Sequence, residues 1–502
     1  MSAATSSPVE HLDVVIVGAG LSGIGAAYRL RAEHPGRSYA ILESRAALGG
    51  TWDLFRYPGV RSDSDMFTLG YPFKPWRDAK SIADGPSILR YIEETAAENG
   101  IDKHIRFGTK VVAAEWDSAA SQWRLTLEAR TGDTVEQRAL TCGFLYSCAG
   151  YYNYDHGYEP EFPGIGDFTG TVVHPQFWPE DLDYTGKKVV VIGSGATAVT
   201  LVPAMAEQAE RVTMLQRSPT WISAVPGRDK IADRLRELLP PELAHRVIRT
   251  KNILFNVGFY QYCRRRPEAA RKMLTGLTSR ILKDESLVAE HFTPDYNPWD
   301  QRLCAVPDAD FFKAMRKGKA EVVTDHIETF VPEGIRLKSG RVLEADVVIT
   351  ATGLQLLAFG GIGLTVDGTP VDLSEQFVWQ GTMMTGVPNF AVCIGYTNAS
   401  WTLRADLTSR LVCKVLGYMD RNGYSAVVPR PERTLGERPL LDLASGYVQR
   451  SIAEFPRQGD RHPWQVRQNY LLDSATTLRT DLRKTLRPVP VTEKLETVAL
   501  PR

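Results

Sequence analysis

Two short glycine-rich stretches carry the chemistry that residue type assigns first. Gly18-Ala-Gly-Leu-Ser-Gly23 follows an apolar run over residues 11–17 and precedes a helical pattern through Ala26, Ala27, Tyr28 and Leu30. In this G-x-G-x-x-G arrangement Gly18 permits a tight turn and Gly20 leaves room for a pyrophosphate. Gly23 lets the helix sit close to the strand, and Ser22 lies inside the loop. Free N–H groups at the helix start attract the anion. A second apolar run, 38–42, ends at Glu43, where a carboxylate accepts ribose hydroxyls. Gly193-Ser194-Gly195-Ala196-Thr197-Ala198 repeats the pattern after the apolar run 187–192 and continues into Val199. The next run, 211–216, ends at Arg217-Ser218. A guanidinium cannot accept a ribose hydroxyl, but its charge and fork suit a 2′-phosphate. The spacing therefore predicts two dinucleotide pockets, the second for NADPH rather than NADH.

Between the pockets, Phe168, Gly170, His174, Trp178 and Pro179 form the pattern F-x-G-x-x-x-H-x-x-x-W-P. A lone histidine is more often a hydrogen-bonded structural residue than a catalyst. His174 is expected to tether the linker and couple domain movement to the reaction. A second signature, Gly49-Gly-Thr-Trp-Asp-Leu-Phe-Arg-Tyr-Pro-Gly59, leads to Arg61-Ser62-Asp63. Together the two patterns resemble those of the Baeyer–Villiger monooxygenases, class B flavoproteins that insert oxygen beside a carbonyl. The runs TWDLFRYPG, GYYNYD, HPQFWPEDLDY, VVIGSGATAVTLVPA, YNPWDQRLC and GYTNASWTL are similar to the mycobacterial ethionamide-activating branch of that family.

The resemblance implies FAD in the first pocket. It places Thr51, Trp52, Asp53 and Leu54 along the flavin, Val111 at its adenine end, Asp63 near the isoalloxazine, and Arg61 and Ser62 close to the nicotinamide. It also implies that Arg302, in Tyr296-Asn-Pro-Trp-Asp-Gln-Arg-Leu-Cys304, is the working arginine, with Asp63 orienting it. A guanidinium stays cationic at any working pH. In a water-poor cleft it can stabilise the anionic C4a-peroxyflavin and the adduct formed with a ketone. The implied reaction consumes NADPH and O2 and converts ketones to esters or lactones, with oxygenation of sulfur in thioethers or thioamides as a further activity. Asp346-Val-Val-Ile-Thr-Ala-Thr-Gly353 carries the A-T-G signature of such enzymes, whereas Cys148-Ala-Gly150, at the equivalent end of the first module, departs from it.

The elements that must position these groups follow from the rest of the chain. At 502 residues two or three domains are expected. The predicted fold is α/β, with two Rossmann-like domains and a helical insertion in the second. The FAD domain is expected over 1–150 and 353–502, the linker over 151–180, the NADPH domain over 181–225 and 296–352, and the insertion over 226–295. Ile231, Leu235, Leu238 and Leu239 give helical spacing there, and Arg264-Arg-Arg266 is a cationic cluster whose expected setting is a solvated face. Hydrophobic residues make up 43% and charged ones 24%, with 59 Lys plus Arg against 59 Asp plus Glu. This balance gives no global field to draw nucleic acid. No apolar stretch spans a bilayer, and the small, polar start lacks the pattern of a signal peptide. A cytoplasmic setting is expected, with peripheral membrane contact left open.

Three rivals are weighed. A flavin monooxygenase restricted to nitrogen and sulfur shares both glycine loops but lacks the Trp178-Pro179 ending. A flavin disulfide reductase needs a redox cysteine pair, and none of the six cysteines has C-x-x-C spacing. A binding or scaffold protein would carry the fold without the flavin.

Overall fold

The computed structural model describes residues 9–441 and 443–489. The polar N-terminal octapeptide and the residues after 489 lie outside the described residues. Strand His11–Val17 sits between Tyr39–Leu42 and the second half of Thr134–Ser147, all parallel. It is buried on both faces, so its apolar run is nearly continuous. Val14 and Ile16 enter a core beneath helix Leu21–Glu33, while Leu12, Val15 and Val17 enter the opposite core around Trp116 and Trp123. Among the described residues the first sheet has eleven strands and includes an antiparallel meander of Thr109–Asp117, Gln122–Thr131 and Thr134–Ser147. The first half of Thr134–Ser147 is exposed and its second half buried.

The chain returns to this sheet near its end. Phe390–Val392 pairs in parallel with Leu145–Ser147, and helix Trp401–Asn422 lies against Leu21–Glu33. The strand stops at Val392.

The second sheet is five-stranded and parallel, in the order Ala320–Thr324, Arg211–Gln216, Lys188–Ile192, Val347–Thr350, Thr171–Val173. The connecting fingerprint thus supplies an edge strand, with Thr171 opposite Val347.

Four helices fill the insertion: Lys230–Leu238, Pro241–Arg265, Pro267–Leu282 and Glu285–His291. Asp229 caps the first and Asp284 the last. Leu235 and Leu239 pack inward, but Ile231 and Leu238 are exposed. Helix Pro241–Arg265 meets the FAD module with a mixed face, where Ala244 and Ile248 enter the core beside buried His245, Arg249 and Asn252. Arg249 donates to the carbonyls of Phe67 and Gly70 at 2.8 and 2.7 Å, and Asn252 and Asn256 each donate to Asp65 at 3.2 Å. Its outward side carries Leu243, Val247, Leu254 and Phe255 instead. No helix among the described residues is long and apolar enough to cross a membrane.

Candidate active site

Both glycine turns are closed by a strand returning from elsewhere. A Cβ at Gly18, where φ is +98°, would lie 2.9 Å from the Cys148 carbonyl oxygen. One at Gly193, with φ of +129°, would lie 2.2 Å from the Ala351 carbonyl oxygen. Cys148-Ala-Gly150 therefore does at the first loop what Ala351-Thr-Gly353 does at the second, and its departure from A-T-G leaves that role intact. Helices Leu21–Glu33 and Ala196–Met205 begin after Gly20 and Gly195 without side-chain caps. Their leading N–H groups are left for an anion.

The two loops open into one cavity of about 1520 Å³. Ligand pockets are roughly 300–1,000 Å³, so this volume accommodates more than one bound molecule. Gly18, Gly20, Ser22 and Glu43 line one end, and Gly193, Ser194, Gly195, Ala196, Thr197 and Val199 another. Glu43 spends one oxygen on the Ala19 N–H at 2.7 Å and the other on the Arg45 N–H at 2.9 Å. Burial pushes its pKa up while those bonds act against the shift. Arg217 and Ser218 also line the cavity and are exposed. Val111 lines it beside a register shift in strand Thr109–Asp117. These features fit FAD at the Glu43 end and NADPH at the Arg217 end.

Some expected residues sit elsewhere. Gly23 stands behind the loop, where a Cβ would fall 1.8 Å from the Gly18 oxygen, and Ala198 is core. Both shape their loops by close packing and do not line the cavity. Leu54 does not line it either, and instead packs into the core of the second module with Phe55 and Tyr57. Thr51 and Trp52 face it, the Thr51 hydroxyl lying 3.3 Å from that of Tyr154. Asp53 reaches the cavity, but its carboxylate is held by Arg45 and by Arg56 at 3.0 Å.

Asp63 and Arg302, 239 positions apart, meet at the junction of the modules. Arg302 Nε donates to Oδ2 at 2.7 Å and Nη2 to Oδ1 at 2.9 Å, a bidentate pair. The Arg302 side chain remains 31% exposed and lines the cavity. The Asp63 carboxylate holds its pKa well above the usual arginine range, against desolvation. Arg61 is paired with Asp310 (Nη2–Oδ1 3.3 Å) and Ser62 turns its hydroxyl onto the Ser64 carbonyl. Gly59 of the same loop packs on helix Ala196–Met205, where a Cβ would lie 2.9 Å from the Thr200 oxygen. The Tyr57 hydroxyl bonds Thr197, and burial pushes its pKa up to about 12.

His174 does not line the cavity. Its Nδ1 accepts the Gln176 N–H at 3.2 Å, and its ring leaves no space for a Cβ at Gly157, 2.1 Å away. Burial lowers its pKa, so it is neutral at physiological pH.

Sequence reasoning missed several lining residues. Tyr151, Tyr152 and Tyr154 surround the junction, and Tyr447 and Arg450 reach it from the tail. Arg450 stacks on the Tyr158 ring with 3.4 Å to the centroid, and Ser445 and Gly446 of the same segment also line the cavity. Burial raises the pKa of Tyr447. Only the run of tyrosines in GYYNYD gave a signal for any of these.

Residues 67–230 match the flavin-binding monooxygenase-like family, and residues 16–79 match the NAD(P)-binding Rossmann-like domain. The FAD-containing monooxygenase EthA of Mycobacterium tuberculosis is 54% identical over 489 residues, spanning 96% of this chain and 99% of that protein. The chain belongs to this family of FAD-containing monooxygenases. The probable FAD-binding monooxygenase AlmA of Acinetobacter baylyi is 48% identical over 468 residues, covering 92% of this chain and 93% of its own. Among solved structures, an oxidized steroid monooxygenase bound to NADP superposes with a TM-score of 0.70 at 25% identity, covering 84% of this chain and 88% of that one. The open structure of cyclohexanone monooxygenase shares the fold at the same TM-score and 22% identity, covering 84% and 91%. The protein is thus a flavin monooxygenase that uses FAD and NADPH, built on two Rossmann-like modules.

Proposed function

We infer that this monooxygenase inserts one oxygen atom of O2 into ketones, giving esters or lactones, with Arg302 as the residue that stabilises developing negative charge. The balanced reaction joins ketone, O2, NADPH and a proton, and yields ester, NADP⁺ and water. The observation that carries the reading is the bidentate Arg302–Asp63 pair at the meeting point of the two nucleotide loops. Bound FAD, reduced by NADPH, supplies the activated oxygen. Arg302 offers fixed positive charge and N–H donors to the substrate carbonyl oxygen as that carbon becomes tetrahedral. Asp63 holds the guanidinium plane in place. Glu43 and the loop through Gly18, Gly20 and Ser22 hold FAD, and Arg217 with Ser218 takes the 2′-phosphate of NADPH. Arg61, Ser62 and the segment through Thr51 and Trp52 lie between them. The buried Tyr57 and Tyr447 hydroxyls stay protonated and shield the junction from water. Sulfur oxygenation in thioethers and thioamides uses the same cavity.

The deciding experiment is a ketone panel followed by NADPH loss, with the products identified by mass spectrometry. Ester or lactone formation supports the reading. Products confined to nitrogen and sulfur oxides would assign the rival activity.

A second reading concerns location. Helix Pro241–Arg265 buries Ala244, Ile248, Arg249 and Asn252 on its inner side and still carries Leu243, Val247, Leu254 and Phe255 exposed on its outer side. Residues 229–291 hold 13 Lys and Arg against eight Asp and Glu, in a chain that is balanced overall. We propose that this face rests on an anionic membrane surface. Sedimentation with phosphatidylglycerol vesicles tests it. Binding should weaken about tenfold in Leu254→Ser/Phe255→Ser, and equal binding to neutral vesicles would refute it.

A further inference from the structure

Cys148 and Cys393, 245 positions apart, lie side by side beneath the first glycine loop. Val392 is opposite Ser147 in the parallel pairing, so the next pair in register is Cys393 with Cys148. The Cys393 N–H donates to the Ser147 carbonyl at 2.9 Å. Both side chains belong to the same buried cluster and so leave the sheet on one face. The two thiols are close enough for each to shift the other's pKa. Neighbouring strands lie about 4.8 Å apart, within the roughly 4.4–6.8 Å between Cα atoms that a disulfide needs. No C-x-x-C spacing brings these two cysteines together; strand pairing across the chain does.

The surroundings join this pair to cofactor binding. Cys148 lines the cavity, its carbonyl closes the Gly18 turn, and its N–H donates to Val17 at 2.8 Å. Ser22, in the glycine loop, hydrogen-bonds Cys393 and accepts from Trp401 Nε1 at 2.7 Å. Hydrogen bonds from Cys148, Ser22 and Tyr146 lower the Cys393 pKa, while burial raises that of Cys148. Of the two, Cys148 is the one that lines the cavity and so meets a solute there first.

We propose that Cys148 and Cys393 form a redox-sensitive pair that hydrogen peroxide closes to a disulfide, and that closure loosens the hold on FAD. Peroxide arises in the same cavity when NADPH, a proton and O2 give H2O2 and NADP⁺ without reaching a substrate. This source rests on the proposed activity, but the test supplies peroxide directly. The Cys148 sulfur, as its thiolate, attacks one peroxide oxygen, the O–O bond breaks and hydroxide leaves, giving a sulfenic acid. The Cys393 thiol sulfur then attacks that sulfur, forming S–S and releasing water. In sum, two thiols and H2O2 yield one disulfide and two waters. The sulfurs draw together to about 2.05 Å, Ser22 loses its thiol partner, and the glycine loop shifts.

The FAD-loaded enzyme is treated with a tenfold excess of hydrogen peroxide, alkylated and digested without reductant. The expected result is a cross-linked peptide pair holding Cys148 and Cys393, two hydrogens lighter than the free peptides. Flavin retained after gel filtration should fall about tenfold, and dithiothreitol with added FAD should restore it. Cys393→Ser should keep its flavin under the same treatment; should that variant not fold, the wild-type cross-link and its reversal decide alone. Both thiols still alkylated after peroxide, or a cross-link that leaves flavin retention unchanged, would overturn the proposal. A protein inactive on every ketone would still report on this pair.

Discussion

Removing one charge from the Arg302–Asp63 pair gives the sharpest test of the site. In Asp63→Asn the side chain keeps its size, but the two bonds at 2.9 Å or less lose their charged acceptor. Two unit charges about 4 Å apart interact by about 4 kcal/mol at an effective dielectric of about 20. The side chains are 31% and 25% exposed, so water in the cavity screens part of that. Loss of about 2 kcal/mol of orientation is a reasonable net value, and at about 1.36 kcal/mol per tenfold this lowers kcat for ester formation about 30-fold. Arg302→Lys should cost more, about 100-fold or greater, because an ammonium cannot reproduce the fork. Stopped-flow absorbance separates the steps. Anaerobic flavin reduction by NADPH should change by less than about threefold in either variant, since the loss lies in charge stabilisation of the substrate. Ester yield per NADPH should fall while hydrogen peroxide rises. Ester production by Asp63→Asn at the wild-type rate, or equal loss in flavin reduction and oxygen insertion, would refute the reasoning.

Three other outcomes follow from the geometry. Arg217→Ala should raise KM for NADPH about 10–100-fold, from the ~1.5–3 kcal/mol of a charged hydrogen bond, and leave KM for NADH unchanged; parallel steady-state titrations check this. Gly59→Ala places a Cβ at positive φ against the Thr200 carbonyl and should destabilise the protein by about 1–3 kcal/mol, read as a drop of several degrees in Tm. Burial lowers the pKa of His174, His245, His291 and His462. Their neutral forms are favoured on folding, so the stability they contribute is complete above the unfolded value near 6.5 and is lost as pH falls below it. Denaturant midpoints should therefore drop between pH 7.5 and pH 5.5, and a midpoint that does not move would contradict this.

The parts of the site that the chain states locally could be read from it. Each glycine loop adjoins the strand before it, and its tip residue, Glu43 or Arg217, follows 25 or 24 positions after the first glycine, so the local spacing encodes the geometry. Arg302 and Asp63 are 239 positions apart, so only the family resemblance pointed to their pairing. Leu54 was placed on the flavin by the same resemblance, but in the structure it faces away, because a single turn of helix at Thr51–Leu54 sends it into the neighbouring core. Tyr447 and Arg450 come from short turns with no hydrophobic period, which pattern reading cannot place. The Cys148–Cys393 contact is a matter of register between remote strands, and no spacing rule reaches it.

The late return of Phe390–Val392 and Trp401–Asn422 to the opening sheet also bears on biosynthesis. The strand that closes the Gly18 turn is flanked on one side by the start of the chain and on the other by residues made almost four hundred positions later. A nascent polypeptide still lacking that final portion has an unfinished flavin cradle, however well its first 150 residues have begun to fold. Cofactor loading therefore belongs to the end of translation, and a premature stop anywhere before residue 390 yields an empty apoprotein fragment with an unpaired strand edge open to aggregation.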